Sequence, residues 1–313
     1  MLRRDSLETL SGLVAHGDLR LVYVIGIARS NSTVVCRLLG ERLDGVVYEP
    51  AVPAAPDPLG HYARVIMNAY RKARKTRTGP VSLVVKDISL FIDESIFRFI
   101  ARHAAHVVFT IRDPAGAHQS LVRQFGQEFR PLQRADAVIN EPFEALWMAL
   151  SFAAEVPRLA RLADSAHPGY GAPWYRQAMG GWTVESWRRL GAQFAALDPA
   201  RVTVLDAAEM REAPRIATEA LATIAQALMP AGRTPMIEVA AHSRMYRRSK
   251  WAAEARRSTA IKPLASRDDA APVKDFEAQI CGGVAPIYRA LLASPTNPLR
   301  KRTEMAPARI AAA

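Results

Sequence analysis

A chain of 313 residues, 50% of them hydrophobic and 23% charged, is long enough to bury a large core, and its formal charge of +12 will draw anions to some part of the surface. No apolar run approaches the roughly 20 residues that a bilayer-spanning helix needs, and Met1-Leu2-Arg3-Arg4 runs into Asp5 and Glu8 instead of an apolar leader core, so a soluble cytoplasmic protein is expected, with no stable membrane insertion. Cys36 and Cys281 stand far apart without CxxC or Cys/His spacing, which argues against zinc, a disulfide framework and redox chemistry; no metal is expected. Much of the charge is arginine beside abundant alanine, a composition typical of a GC-rich bacterial genome, so charge alone does not choose among nucleic acid, membrane phosphate and a polyanionic small molecule.

Short β-branched runs alternate with longer amphipathic ones. Strands are expected at Leu21–Ile25, Val46–Tyr48, Leu83–Lys86, Val107–Ile111 and Val202–Leu205. Helices are expected at about Thr33–Leu43, Leu59–Lys75, Asp93–His103, Ala115–Phe129, Pro142–Ala163, Thr183–Leu197 and Pro214–Leu228. This βαβα order, with strands so continuously apolar, predicts an α/β fold: a three-layer arrangement with a central parallel sheet of about five strands flanked by helices. One domain over 1–297 is expected. The stretch of about 128–198, helical by pattern, reads as an insertion or cap over the site, and the basic, Ala-rich piece 298–313 reads as a disordered tail. Parallel sheets bind ligands beyond the carboxyl ends of their strands, so the strand tips are the places to inspect.

The first tip carries LVYVIGIARSNST at 21–33: an apolar strand, Gly26, a loop of small residues, then a helix opening at Ser32 or Thr33. Backbone N–H groups and the positive end of a helix dipole converge there, which is an anion nest. The pattern GxxxxGK[ST] nearly overlays Gly26–Thr33, yet Asn31 stands at its second glycine and Ser32 at its lysine, which speaks against an ordinary ATP or GTP hydrolase. The positive charge comes from Arg29. The plainer alternative is a strand-to-helix turn with Ser32 as N-cap.

Gly26-Ile27-Ala28-Arg29-Ser30-Asn31-Ser32-Thr33 resembles the G-x-P-[RK]-S-G-T-[TS] loop of the sulfotransferases, a family of P-loop-containing nucleotide-binding type that holds the 5′-phosphosulfate of 3′-phosphoadenosine 5′-phosphosulfate there. The resemblance assigns Arg29, Ser30, Asn31, Ser32 and Thr33 to that donor. Ala28 replaces the usual proline, and Asn31 replaces a glycine that commonly needs positive φ; asparagine tolerates that conformation best among the other residues. IRDPAGAHQS at 111–120 is similar to the family's second motif. Asp113 and Pro114 read as N-cap and first helical residue, which puts Arg112 at a strand tip and Ser120 about two helical turns on. In the family an arginine and a serine so spaced grip the donor's 3′-phosphate, and the arginine fork suits paired phosphate oxygens. Trp187 in WRRLGAQFAAL, followed by VTVLDAAEM, resembles the family's late helix–strand unit, with Asp206-Ala207 in place of arginine and tyrosine. Arg248, within Arg247-Arg248-Ser249-Lys250, is the nearest match to the family's basic C-terminal loop, which lacks its glycine here.

Sulfuryl transfer needs cations on the leaving phosphate and a base near the acceptor. The resemblance gives the first role to Arg29 and to Lys86, at the tip of VSLVVKDIS; a salt bridge with Asp87 is the structural alternative for that lysine. The histidine that one branch of the family uses as base is Ile88 here. A second branch uses a glutamate about twenty residues after the loop arginine, where Glu49 stands, and Asp87 is a further carboxylate in reach. His61, His106 and His118 read as surface or strand-end residues. The expected activity is therefore transfer from 3′-phosphoadenosine 5′-phosphosulfate, as co-substrate and without metal, to a small-molecule acceptor, with no nucleic-acid partner and with the oligomeric state, a homodimer included, left open. A phosphotransferase using a nucleoside triphosphate and a non-catalytic nucleotide-binding protein are the alternatives. Trp147, Trp174, Tyr175, Trp182 and Trp187 could line an acceptor pocket or belong to the core.

Overall fold

The computed structural model describes residues 2–52, 55–121, 174–229, 239–241, 261 and 275–300. In chain order these form α1 (Leu2–Ala15), β1 (Leu19–Gly26), α2 (Ser32–Gly40), β2 (Gly45–Tyr48), α3 (Pro58–Arg74), β3 (Val81–Ile88), α4 (Glu94–His103) and β4 (Ala104–Ile111). Residues 114–121 begin α5. There follow α6 (Trp174–Ala195), β5 (Val202–Asp206), α7 (Ala207–Glu212), α8 (Pro214–Leu228), β6 (Val239–Ala241) and α9 (Asp275–Leu292).

The strands make one parallel sheet in the order β5-β4-β1-β3-β2-β6, so β1 is central and the chain crosses from one side of it to the other between β3 and β4. This is a three-layer, P-loop-like α/β fold, as the alternation of elements predicts. The five expected strands are all present, and β6 extends the sheet by a short sixth that the sequence reading does not contain.

Strand alternation sends side chains to two cores. Leu21, Tyr23 and Ile25 of β1 join α1, α3, α4, α6 and α9 on one face through Leu10, Tyr62, Phe99, Trp187 and Val284. Val22 and Val24 face α2, α7 and α8 through Val35, Leu39, Met210 and Leu221. Trp182, Trp187 and Leu190 are buried in the first core, and Phe109 meets Phe194 edge-on, so this part of the segment expected as a cap is a core helix against the sheet. Leu299 is buried in the second core, so packed chain continues past the tail boundary expected at 298. Among the described residues no helix is long and apolar enough to cross a membrane.

Candidate functional site

The loop and motif residues follow the carboxyl ends of β1, β2 and β4, and Lys86 and Asp87 stand within the last three residues of β3. Gly26 closes β1 beside Thr110 of β4. A side chain on it would meet Thr110 Oγ1 at 2.2 Å and Ser30 Oγ at 2.6 Å, which is why only glycine fits at this approach. Ser30 is wholly buried; its hydroxyl donates to the Ile27 carbonyl oxygen at 2.7 Å and shares a 2.8 Å hydrogen bond with the Thr110 hydroxyl. Those two bonds pin the loop to β4 and occupy the Ser30 hydroxyl, leaving its backbone amide to serve as a donor.

Asn31 is the N-cap of α2 at φ 64, the left-handed conformation expected of it, and its side chain caps nothing. Ser32 and Thr33 form the first turn, whose amides have no internal acceptor by the geometry of a helix start. Arg29 is also left-handed, at φ 70. For a long side chain this costs of order 1–3 kcal/mol and persists only where neighbours hold it. Two do: Arg29 Nε donates to Ser120 Oγ at 3.1 Å, and Arg112 Nη1 reaches the Arg29 carbonyl oxygen at 3.4 Å. The loop after β1 and the arginine and serine after β4 are thus one cluster. Asp113 caps α5 by accepting from the Gly116 amide at 2.9 Å, the local device that holds Arg112 at the strand tip.

A third arginine belongs here. β5 runs beside β4 with Ile111 opposite Asp206, and α7 starts directly after Asp206, which brings Arg211 to the same corner. Burial, then the like charges of Arg29 and Arg211, hold the Arg112 guanidinium below the ordinary arginine range. Asp206 does not join as a free counter-ion: it accepts from the amides of Ala208 and Glu209 and from the Tyr288 hydroxyl, and its carboxyl is pushed up by burial. Nothing in the local sequence marks Arg211, because only the pairing of β5 with β4 brings it in.

The second corner lies across β1. Lys86, 3% exposed, stands opposite Val24 on one side and Tyr48 on the other, and its ammonium pairs with the Glu49 carboxylate. Glu49 follows β2 directly, at φ 47, with its amide bonded to the Lys86 carbonyl oxygen at 2.6 Å. The two residues assigned to leaving group and base therefore meet. Asp87 does not pair with Lys86. Adjacent on β3, it points to the opposite face, where it accepts from the Ala51 amide and the Tyr62 hydroxyl, each at 3.1 Å.

His118 is buried, 1% exposed, with Nδ1 at 2.8 Å from Thr183 Oγ1, and so is a core residue where a surface one was expected. Arg248 lies outside the described residues. No protein-family model matches the chain, and no curated protein matches it at a significant level.

Proposed function

We propose that this protein transfers a sulfuryl group from 3′-phosphoadenosine 5′-phosphosulfate to a hydroxyl or amino group of a small-molecule, sugar or lipid acceptor. The observation that carries the reading is the sharing of neighbouring strand ends by two corners of different charge: an arginine cluster around a glycine-started loop, and a lysine–glutamate pair one strand away.

In this reading the loop amides and Arg29 take the 5′-phosphate that bridges to sulfur, while Arg112 and Ser120 take the second phosphate of the donor. The acceptor oxygen or nitrogen attacks sulfur in line. The bond from sulfur to the phosphate oxygen breaks with its electron pair left on that oxygen, where Lys86 and Arg29 stabilise the charge. The acceptor proton passes to Glu49. The Lys86–Glu49 pair holds each group against the other, so that neither is left an unpaired charge before it meets its substrate partner.

The P-loop-like strand order is shared by phosphotransferases, and this is what favours the second reading, a kinase-type enzyme using a nucleoside triphosphate. Ser32 at the position of the phosphate-binding lysine counts against it. Calorimetric titration with adenosine 3′,5′-bisphosphate, beside ATP and 5′-AMP, separates the two. Micromolar binding of the bisphosphate alone is expected. Tighter binding of ATP would move the assignment to phosphoryl transfer, and binding of no nucleotide would remove both enzymes.

A further inference from the structure

Glu49 sits in left-handed backbone at φ 47 directly after a strand, a conformation its side chain does not favour, so something outside the residue must hold it. Two contacts bracket the turn. Before it, the Glu49 amide bonds to the Lys86 carbonyl oxygen; after it, the Ala51 amide bonds to Asp87 Oδ1. Neighbouring residues of β3 thus grip the same turn from opposite faces of the sheet, Lys86 with its carbonyl and ammonium, Asp87 with its carboxyl. The second oxygen of Asp87 is fixed in turn by the hydroxyl of Tyr62, which is fully buried on α3.

We propose that Asp87 is a positioning residue for Glu49: tied to Tyr62, its carboxyl holds the Ala51 amide and so fixes the left-handed turn that aims the Glu49 carboxylate at Lys86. The role rests on the reading of Glu49 as the base.

Asp87 is 1% exposed, and the charged and titratable groups around it are Glu49 and Lys86 at the strand ends, Tyr62 on α3, Tyr23 on β1 and Cys36 on α2. Burial raises its carboxyl most, the Ala51 amide lowers it, Glu49 raises it, and Lys86 and Tyr62 lower it, leaving it at about 8. At neutral pH Asp87 is therefore mostly protonated, a neutral clamp that keeps an acceptor for the Ala51 amide. Above pH 8 it becomes a second carboxylate close to Glu49, and the base feels it.

The test needs no substrate. In the full chain labelled with 13C at glutamate side chains, the Glu49 carboxyl resonance, assigned with Glu49→Gln, is followed against pH, and amide hydrogen exchange is measured at Ala51. The wild-type Glu49 signal should show an inflection near pH 8 that Asp87→Asn abolishes. Asn keeps an oxygen acceptor for the Ala51 amide, so exchange there should stay near wild type in Asp87→Asn and rise about tenfold in Asp87→Ala, where a hydrogen bond is lost. Should Asp87→Ala not fold, Tyr62→Phe serves: removing a contact that lowers the Asp87 carboxyl should move the inflection upward. A Glu49 titration without the inflection, or Ala51 exchange unmoved by Asp87→Ala, overturns the proposal. Bisphosphate titration of the same samples separates the two ideas. Coupling without nucleotide binding keeps the clamp and removes the sulfuryl-transfer reading, whereas nucleotide binding without coupling removes the clamp alone.

Discussion

At the tips of β2 and β3 a buried lysine pairs with a part-buried glutamate, whereas across β1, at the tips of β4 and β5, burial and then the like charges of Arg29 and Arg211 depress the protonation of Arg112. The first corner is neutral as it stands. The second stores repulsion that a bound anion would relieve, and it stores backbone strain as well, since Arg29 is held left-handed by contacts from Ser120 and Arg112. The contrast suggests a division of labour: a corner balanced within the protein suits bond making and breaking, where charge must move without large reorganisation, and a corner with excess like charge suits capture of a ligand that brings the opposite charge.

Exchanging the roles of the corners by mutation gives the sharpest test. Lys86→Ala should lower saturated turnover by on the order of 10²–10³ with a smaller loss of bisphosphate affinity, since one charge-stabilising donor is lost from the reacting centre. Steady-state rates at saturating donor, with calorimetry on the same protein, check it. Arg112→Ala should do the reverse, costing roughly 2–3 kcal/mol of bisphosphate binding, as loss of a charge-assisted contact does, with a smaller fall in saturated turnover. If both variants lose binding and turnover in the same proportion, the division between the corners disappears.

Beneath the neutral corner Asp87 supplies a test by pH. Its carboxyl titrates at about 8 in the folded protein and in the ordinary carboxylate range in the unfolded chain. Between those values the folded state holds a proton that the unfolded state has released, so its contribution to stability is lost as pH rises from about 4 to about 8 and is level above that. Asp87→Asn has no such proton. Denaturant unfolding of both proteins at pH 5 and pH 8 should therefore show the variant gaining on wild type with rising pH, by at most about 1.4 kcal/mol per unit. Parallel stability curves would mean that Asp87 titrates normally.

How much of this was legible in the sequence differs with the kind of signal. β1, β3 and β4 are β-branched runs whose buried registers match the expectation, and α8 begins at the Pro214 and ends at the Leu228 that the pattern marks. Asn31 was legible as a left-handed residue because its chemistry is local. Composition hid α1, which opens on charged residues, and α9, which contains Pro286; α6 was expected from Thr183 but starts at Trp174 and runs through Gly180 and Gly181, both buried in packing that offsets their poor propensity. β6, three residues long, is too short to show alternation. In the site, Lys86 and Glu49 were legible one at a time but their contact was not, and the left-handed Arg29 and the arrival of Arg211 depend on strand pairing that no local window contains.

Arg211 gives the smallest effect and the one specific to the repulsive corner. In Arg211→Gln one of the two like charges that act on Arg112 is gone, so the ligand-free protein should gain a few tenths of a kcal/mol at low ionic strength, and the gain should shrink as salt screens the pair. Binding should move the other way: the bisphosphate should bind several-fold more weakly, and the dependence of its affinity on salt should become shallower, because one cation fewer faces the anion. A surface arginine with no part in the site would leave both quantities where they were, and an arginine needed only for packing would lower stability. Stability up with affinity down, in one variant, is the signature of a charge retained for a ligand at the expense of the empty protein.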